Sequence, residues 1–103
     1  MNFLTGLPSP KEAEILTLLL ASGEMYGLQM VQLSNGALKR GTIYVVLDRL
    51  EDQKLVSSRS EVQPGAAGLA RRFYKITGHG QRALAAYRAG QNVLQGNLSW
   101  AGA

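Results

Sequence analysis

The chain has 103 residues and 46% hydrophobic against 17% charged side chains, which excludes disorder and leaves room for one domain rather than two. It holds no cysteine and one histidine, which excludes disulfide scaffolds, thiolate metal sites and a metal centre built on histidine alone, so neither metal nor cofactor is expected. A net charge of +4, with a pI near 9.8, points to an acidic partner.

Residues 8–12 read Pro-Ser-Pro-Lys-Glu ahead of an apolar run. Ser9 as N-cap, Pro10 at the first helical position and Glu12 three residues after the cap predict a helix to about Ser22, closed by Gly23. Its Ile15, Leu16, Leu18, Leu19 and Leu20 cover most of the circumference, so burial on more than one side is expected. The run Ile15 to Ala21 is far short of the ~20 residues that span a bilayer. Met1-Asn2-Phe3-Leu4 has no basic segment followed by an apolar one, so a cytoplasmic protein without a membrane partner is expected.

A short second helix is expected over Tyr26–Leu33, then a turn at Ser34-Asn35-Gly36. The third helix is placed at about Arg40–Gln53, because Ile43, Val46, Leu47 and Leu50 fall at i, i+3, i+4 and i+7. Residues 55–60 and 71–76 are extended in texture, and the Pro/Gly-containing stretch between them makes a long-tipped hairpin. Thr77 caps a last helix from Gly78 to about Gln95. Leu84, Tyr87, Leu94 and Leu98 lie on one seam of that helix, with Gln91 interrupting it.

Three helices, a hairpin and a helix are the order of a winged helix-turn-helix. The expected fold is mainly α with a small β hairpin (α+β), a single domain over residues 1–103. The winged helix-turn-helix occupies about 8–77 and a C-terminal dimerisation helix about 78–98.

Charge follows this layout. Residues 1–38 carry Lys11 against three glutamates, residues 39–88 carry ten basic side chains against four acidic ones, and residues 89–103 carry none. A basic middle suits double-stranded DNA. Lys39, Arg40 and Thr42 stand at the start of the third helix, where free N–H groups favour phosphate. Tyr44 either offers its hydroxyl to a phosphate or packs its ring in the core. Arg49 either reads a guanine or pairs with Asp48 or Asp52. Arg59, Arg71 and Arg72 make the hairpin a DNA-touching wing, or else protect an exposed edge by charge. His79 has no nucleophile or carboxylate pair near it in sequence, and Gly78-His79-Gly80 lacks phosphate-loop spacing, so no catalytic residue is assigned and the chain is not read as an enzyme. Trp100 would line an apolar cavity or reach a partner chain.

Tyr26-Gly27-Leu28-Gln29-Met30 resembles the opening of the second helix in PadR-type transcriptional regulators. Gly41-Thr42-Ile43-Tyr44-x-x-Leu47-x-Arg49-Leu50-Glu51 is similar to that family's recognition-helix signature, and Arg71-Arg72-Phe73-Tyr74-Lys75-Ile76-Thr77-x-x-Gly80 to its second wing strand and the helix after it. The likeness runs from about Ile15 to Tyr87. Val45 replaces a frequent proline, and Lys54 a glycine that usually ends the recognition helix. Lys54 therefore either adopts a left-handed conformation or lets the helix end late.

The resemblance implies a homodimeric repressor on a pseudo-palindromic operator, the last helix packing on the partner's first. Ile15, Leu19, Leu84, Tyr87, Leu94 and Leu98 would form that contact. It also implies release by a small hydrophobic or aromatic effector, for which Trp100 is the candidate. A rival reading is a winged-helix protein–protein module without specific DNA binding.

Overall fold

A computed structural model describes residues 7–62 and 70–94. Within them the order is α1 (Pro10–Ser22), β1 (Met25–Tyr26), α2 (Gly27–Leu33), α3 (Ile43–Asp52), β2 (Val56–Val62), β3 (Ala70–Ile76) and α4 (Gly78–Leu94). This is a winged-helix α+β fold with a C-terminal helix.

α1 starts as its sequence dictates. The Glu12 N–H donates to Ser9 Oγ at 3.2 Å, and the Ser9 N–H donates to Glu12 Oε1 at 2.8 Å. Two otherwise unpaired donors are satisfied, and the buried Glu12 carboxylate sits at the positive end of the helix. Gly23 closes the helix at φ +81°, its N–H donating to Leu19 O. Ile15, Leu16 and Leu19 enter the core, but Leu20 is exposed, so α1 is not enclosed on every side.

The sheet has three strands in the order β1-β3-β2 rather than the two of a plain hairpin. Met25 pairs with Tyr74 and Tyr26 with Phe73, so α2 starts at Gly27. Two residues are too few to show an alternation, which is why β1 does not stand out in the sequence. β2 and β3 run antiparallel from Val56↔Ile76 to Val62↔Ala70. The inward face carries Met25, Tyr74 and Val56, all buried. Outward lie Tyr26, Arg59, Arg71 and Phe73, as the two-residue period of a strand requires.

α3 starts at Ile43, the first residue of its apolar period and three residues after the expected start at Arg40. Residues 40–42 form a turn in which Lys39 O accepts the N–H groups of Thr42 (3.2 Å) and Ile43 (3.0 Å). Gly41 is the weakest helix former there apart from proline. The other end is a Schellman motif: Leu55 N–H donates to Leu50 O at 2.9 Å and Lys54 N–H to Glu51 O at 3.0 Å, with Leu50 and Leu55 both buried. Lys54 takes the left-handed conformation at φ +65°, so the absent glycine costs strain rather than a longer helix. Thr77 holds the turn from outside, its hydroxyl donating to Lys54 O at 2.7 Å and its N–H to Leu55 O at 3.1 Å. Lys54→Gly is expected to stabilise the protein by about 1 kcal/mol, read as a higher urea midpoint at unchanged slope.

Thr77 also starts α4, its Oγ1 accepting the Gly80 N–H at 2.9 Å. α4 lies against α1, where Arg88 Nη2 donates to Thr17 Oγ1 at 3.2 Å. This packing reassigns several side chains expected at a dimer contact. Ile15, Leu19 and Leu84 are fully enclosed in the protomer's own core and leave no surface for a partner. Tyr87 is half-buried against that core. Leu94 alone of the described set is open, at 83% exposure, beside the exposed Val93. Leu98 and Trp100 lie outside the described residues, as does the hairpin tip with Pro64, Gly65 and Gly68.

Candidate nucleic-acid interface

α3 is two-faced. Ile43, Leu47 and Leu50 fill the core, while Thr42, Tyr44, Val45, Asp48, Arg49 and Asp52 stand in solvent. Lys39 and Arg40 are exposed in the turn ahead of α3. Lys39 O already holds the Thr42 and Ile43 N–H groups, so those two are not free to meet an anion.

Tyr44 does not pack its ring in the core. Its ring lies over the first residue of α2: a Cβ on Gly27 would be 2.8 Å from Tyr44 Cε1 and 3.0 Å from its hydroxyl oxygen. The ring is braced from one side and remains 45% exposed. Gly27 is thus needed for close approach, not for an unusual backbone angle. Among the described residues Arg49 makes no ion pair with Asp48 or Asp52, which leaves its five donors open.

The three wing arginines differ in what remains of their charge. Arg59 donates from Nε to Glu24 Oε2 (2.9 Å) and from Nη2 to Glu24 Oε1 (2.7 Å). Its Nη1 lies 3.2 Å from Glu61 Oε2, and the guanidinium sits 5.0 Å over the Phe73 ring. Two carboxylates offset one cation, so Arg59 fastens the wing to the α1–β1 connection and is a poor phosphate ligand. The bond from Arg59 is the main reason that the Glu24 carboxyl lies below its ordinary value of 4.5. A lowered carboxyl helps the folded state above the ordinary range, and that help is lost as pH falls through the folded value. The pair is open to solvent, which keeps its contribution small.

Arg71 lies 4.3 Å over the Tyr26 ring, and Tyr26 meets Phe73 edge-on at 5.7 Å. Neutral aromatic faces orient the guanidinium without cancelling its charge. Arg72 Nη1 donates to Ser58 Oγ at 2.9 Å, and Ser58 Oγ donates to Glu51 Oε2 at 2.6 Å. The wing is thereby linked through one hydroxyl to the last turn of α3. Glu24, Glu51, Ser58, Tyr26 and Phe73 carry no sign of these roles in the sequence. Arg59 and Glu24 are 35 residues apart, and only folding brings them together.

Two surface clefts accompany these groups, one of about 340 Å³ lined by Glu24, Ser57, Ser58, Arg59 and Lys75. The other, of about 200 Å³, is lined by Leu28, Val31, Gln32 and Arg40. Among the described residues no group of three His, Cys, Asp or Glu side chains could hold a metal. His79 is exposed at the start of α4. No helix among them is long and apolar enough to cross a membrane.

The family model described as "Transcriptional regulator PadR-like family" matches residues 15–86. Among solved structures, a PadR family transcription regulator from Clostridium difficile R20291 superposes at TM-score 0.73 with 22% identity, over 84% of this chain and 92% of that one. A PadR-like transcription factor from Bacteroides fragilis gives 0.70 at 28% identity, over 84% of each chain. Bacillus subtilis PadR, solved in complex with operator DNA, gives 0.66 at 24% identity, over 74% of this chain and 45% of that one. No curated protein matches the chain.

Proposed function

The chain belongs to the PadR-like family of transcriptional regulators, and from that premise we propose that it is a homodimeric repressor whose α3 enters the major groove of an operator. The family is one of regulators and not of enzymes. The observation that carries the proposal is the division of α3. Its apolar side is spent on the core, and Tyr44 and Arg49 stand exposed on its free side, with Lys39 and Arg40 just ahead of it. Lys39 and Arg40 neutralise phosphates, Thr42 and Tyr44 fix the register by hydroxyl contacts, and Arg49 reaches a base edge. Arg71 and Arg72 bring the wing's charge to the backbone. The B. subtilis relative bound to operator DNA supports the same partner here.

Two copies would read half-sites about one helical turn, ~34–36 Å, or a multiple of it apart. The test is selection of duplexes from a randomised pool: enrichment of an inverted repeat with that spacing supports the proposal. A pool that stays random overturns it and moves the protein–protein module to first place. Effector release belongs to the same reading, with a small hydrophobic or aromatic compound lowering affinity for the enriched duplex.

The dimer contact left to the described part of the chain is the end of α4. Leu94 is exposed, so Leu94→Glu spares the protomer's core. Sedimentation is expected to show a monomer, and circular dichroism a helix content equal to that of the wild type. A variant that still sediments as a dimer contradicts the contact.

A further inference from the structure

α3 carries an exposed apolar side chain that nothing in the protomer explains. Val45 is 59% exposed, on a helix whose buried side is complete in Ile43, Leu47 and Leu50. A β-branched residue there lowers helix propensity, and no packing compensates. Val45 is the third residue of α3, in the first turn, where a recognition helix meets base edges.

Charge decides what this side meets. Val45, Asp48, Arg49 and Asp52 recur at i, i+3, i+4 and i+7, one stripe along the helix. Two carboxylates on that stripe would be repelled by a phosphate row, whereas Lys39 and Arg40, at the N-terminal end, would be drawn to it. The stripe therefore suits base edges, where a carboxylate can accept from cytosine N4 and an arginine can donate to guanine. The apolar group that B-DNA displays in the major groove is the C5-methyl of thymine. Tyr44, braced over Gly27, fixes the first turn in which Val45 stands.

We propose that Val45 is a specificity-determining residue that packs on a thymine methyl in the major groove. The proposal rests on the reading that α3 enters that groove. Replacing single thymines by deoxyuridine in the selected duplex removes only the methyl group. Wild type is expected to lose about fourfold in affinity at one thymine of each half-site, the worth of one buried methyl group. Val45→Ala, changed in both protomers, is expected to bind the thymine and deoxyuridine duplexes alike, and about as weakly as wild type binds a duplex with deoxyuridine at that position in both half-sites.

The proposal is overturned if Val45→Ala keeps the full discrimination, or if no thymine matters to wild type. It is also overturned if Val45→Ala changes the sedimentation of the free protein instead, for then Val45 lies in a contact between protein chains. Wild type that enriches no duplex at all defeats the groove reading and this proposal together. Wild type that enriches a duplex without methyl sensitivity defeats this proposal alone.

Discussion

Gly80→Ala is expected to lower the melting temperature by about 15 °C or more, a loss on the order of 3 kcal/mol for a domain of this size. A Cβ on Gly80 would lie inside contact distance of Leu55 O and 2.8 Å from Ile76 Cγ1. The first obstacle is backbone and cannot rotate away. Leu55 O accepts the Thr77 N–H, and Leu55 N–H closes the Schellman motif that ends α3. To admit one methyl group, α4 must lift off the turn or the turn must release Thr77. Either movement loosens the joint between α3, the wing and α4. Better helix propensity returns only about 1 kcal/mol. Gly90→Ala is the matched control, because a Cβ there meets nothing within 4 Å. That variant should be neutral or up to about 1 kcal/mol more stable. Equal melting temperatures for the two alanine variants would contradict the close approach at Gly80.

The second large effect is on binding. Lys39→Ala together with Arg40→Ala is expected to weaken binding to every duplex sequence by roughly a hundredfold to a thousandfold at physiological salt. Each phosphate left without its cation takes about 0.9 off the steepness of the log–log salt dependence. Two per protomer make four in a dimer, so the slope should flatten by about 3.6. Because phosphates carry no sequence information, preference for the selected duplex should survive. Arg59→Ala should leave the slope nearly unchanged, since Glu24 and Glu61 already offset that charge. Anisotropy across a salt series checks both. An Arg59 variant that flattens the slope as much as the double variant would contradict the division of labour among the basic residues.

What the sequence displays follows from how far each signal reaches along the chain. The Ser9–Glu12 box and the period of Ile43, Leu47 and Leu50 are local, and both elements stand where these residues put them. The pair β2–β3 is legible from its β-formers. A helical period shows which side is apolar but not what covers it. Leu84 and Leu94 share one seam in sequence, yet Leu84 is enclosed by the protomer and Leu94 is open. Ile15 and Leu19 are ambiguous in the same way: their apolar character suits a partner chain, and the protomer's own core takes them. The residues of the interface are readable by type, as exposed cations near a recognition-like helix. Their electrostatic standing is not readable, because Glu24, Glu51 and Ser58 reach Arg59 and Arg72 only across the fold.

The most direct test of the central claim is fluorescence anisotropy of wild-type protein with its selected duplex and a scrambled one, from low to high salt. A repressor built as described gives a steep negative slope on both duplexes and a preference of roughly 10³-fold or more for the selected one. Binding to neither duplex, or binding that ignores salt, would contradict the assignment of α3 and the wing to DNA.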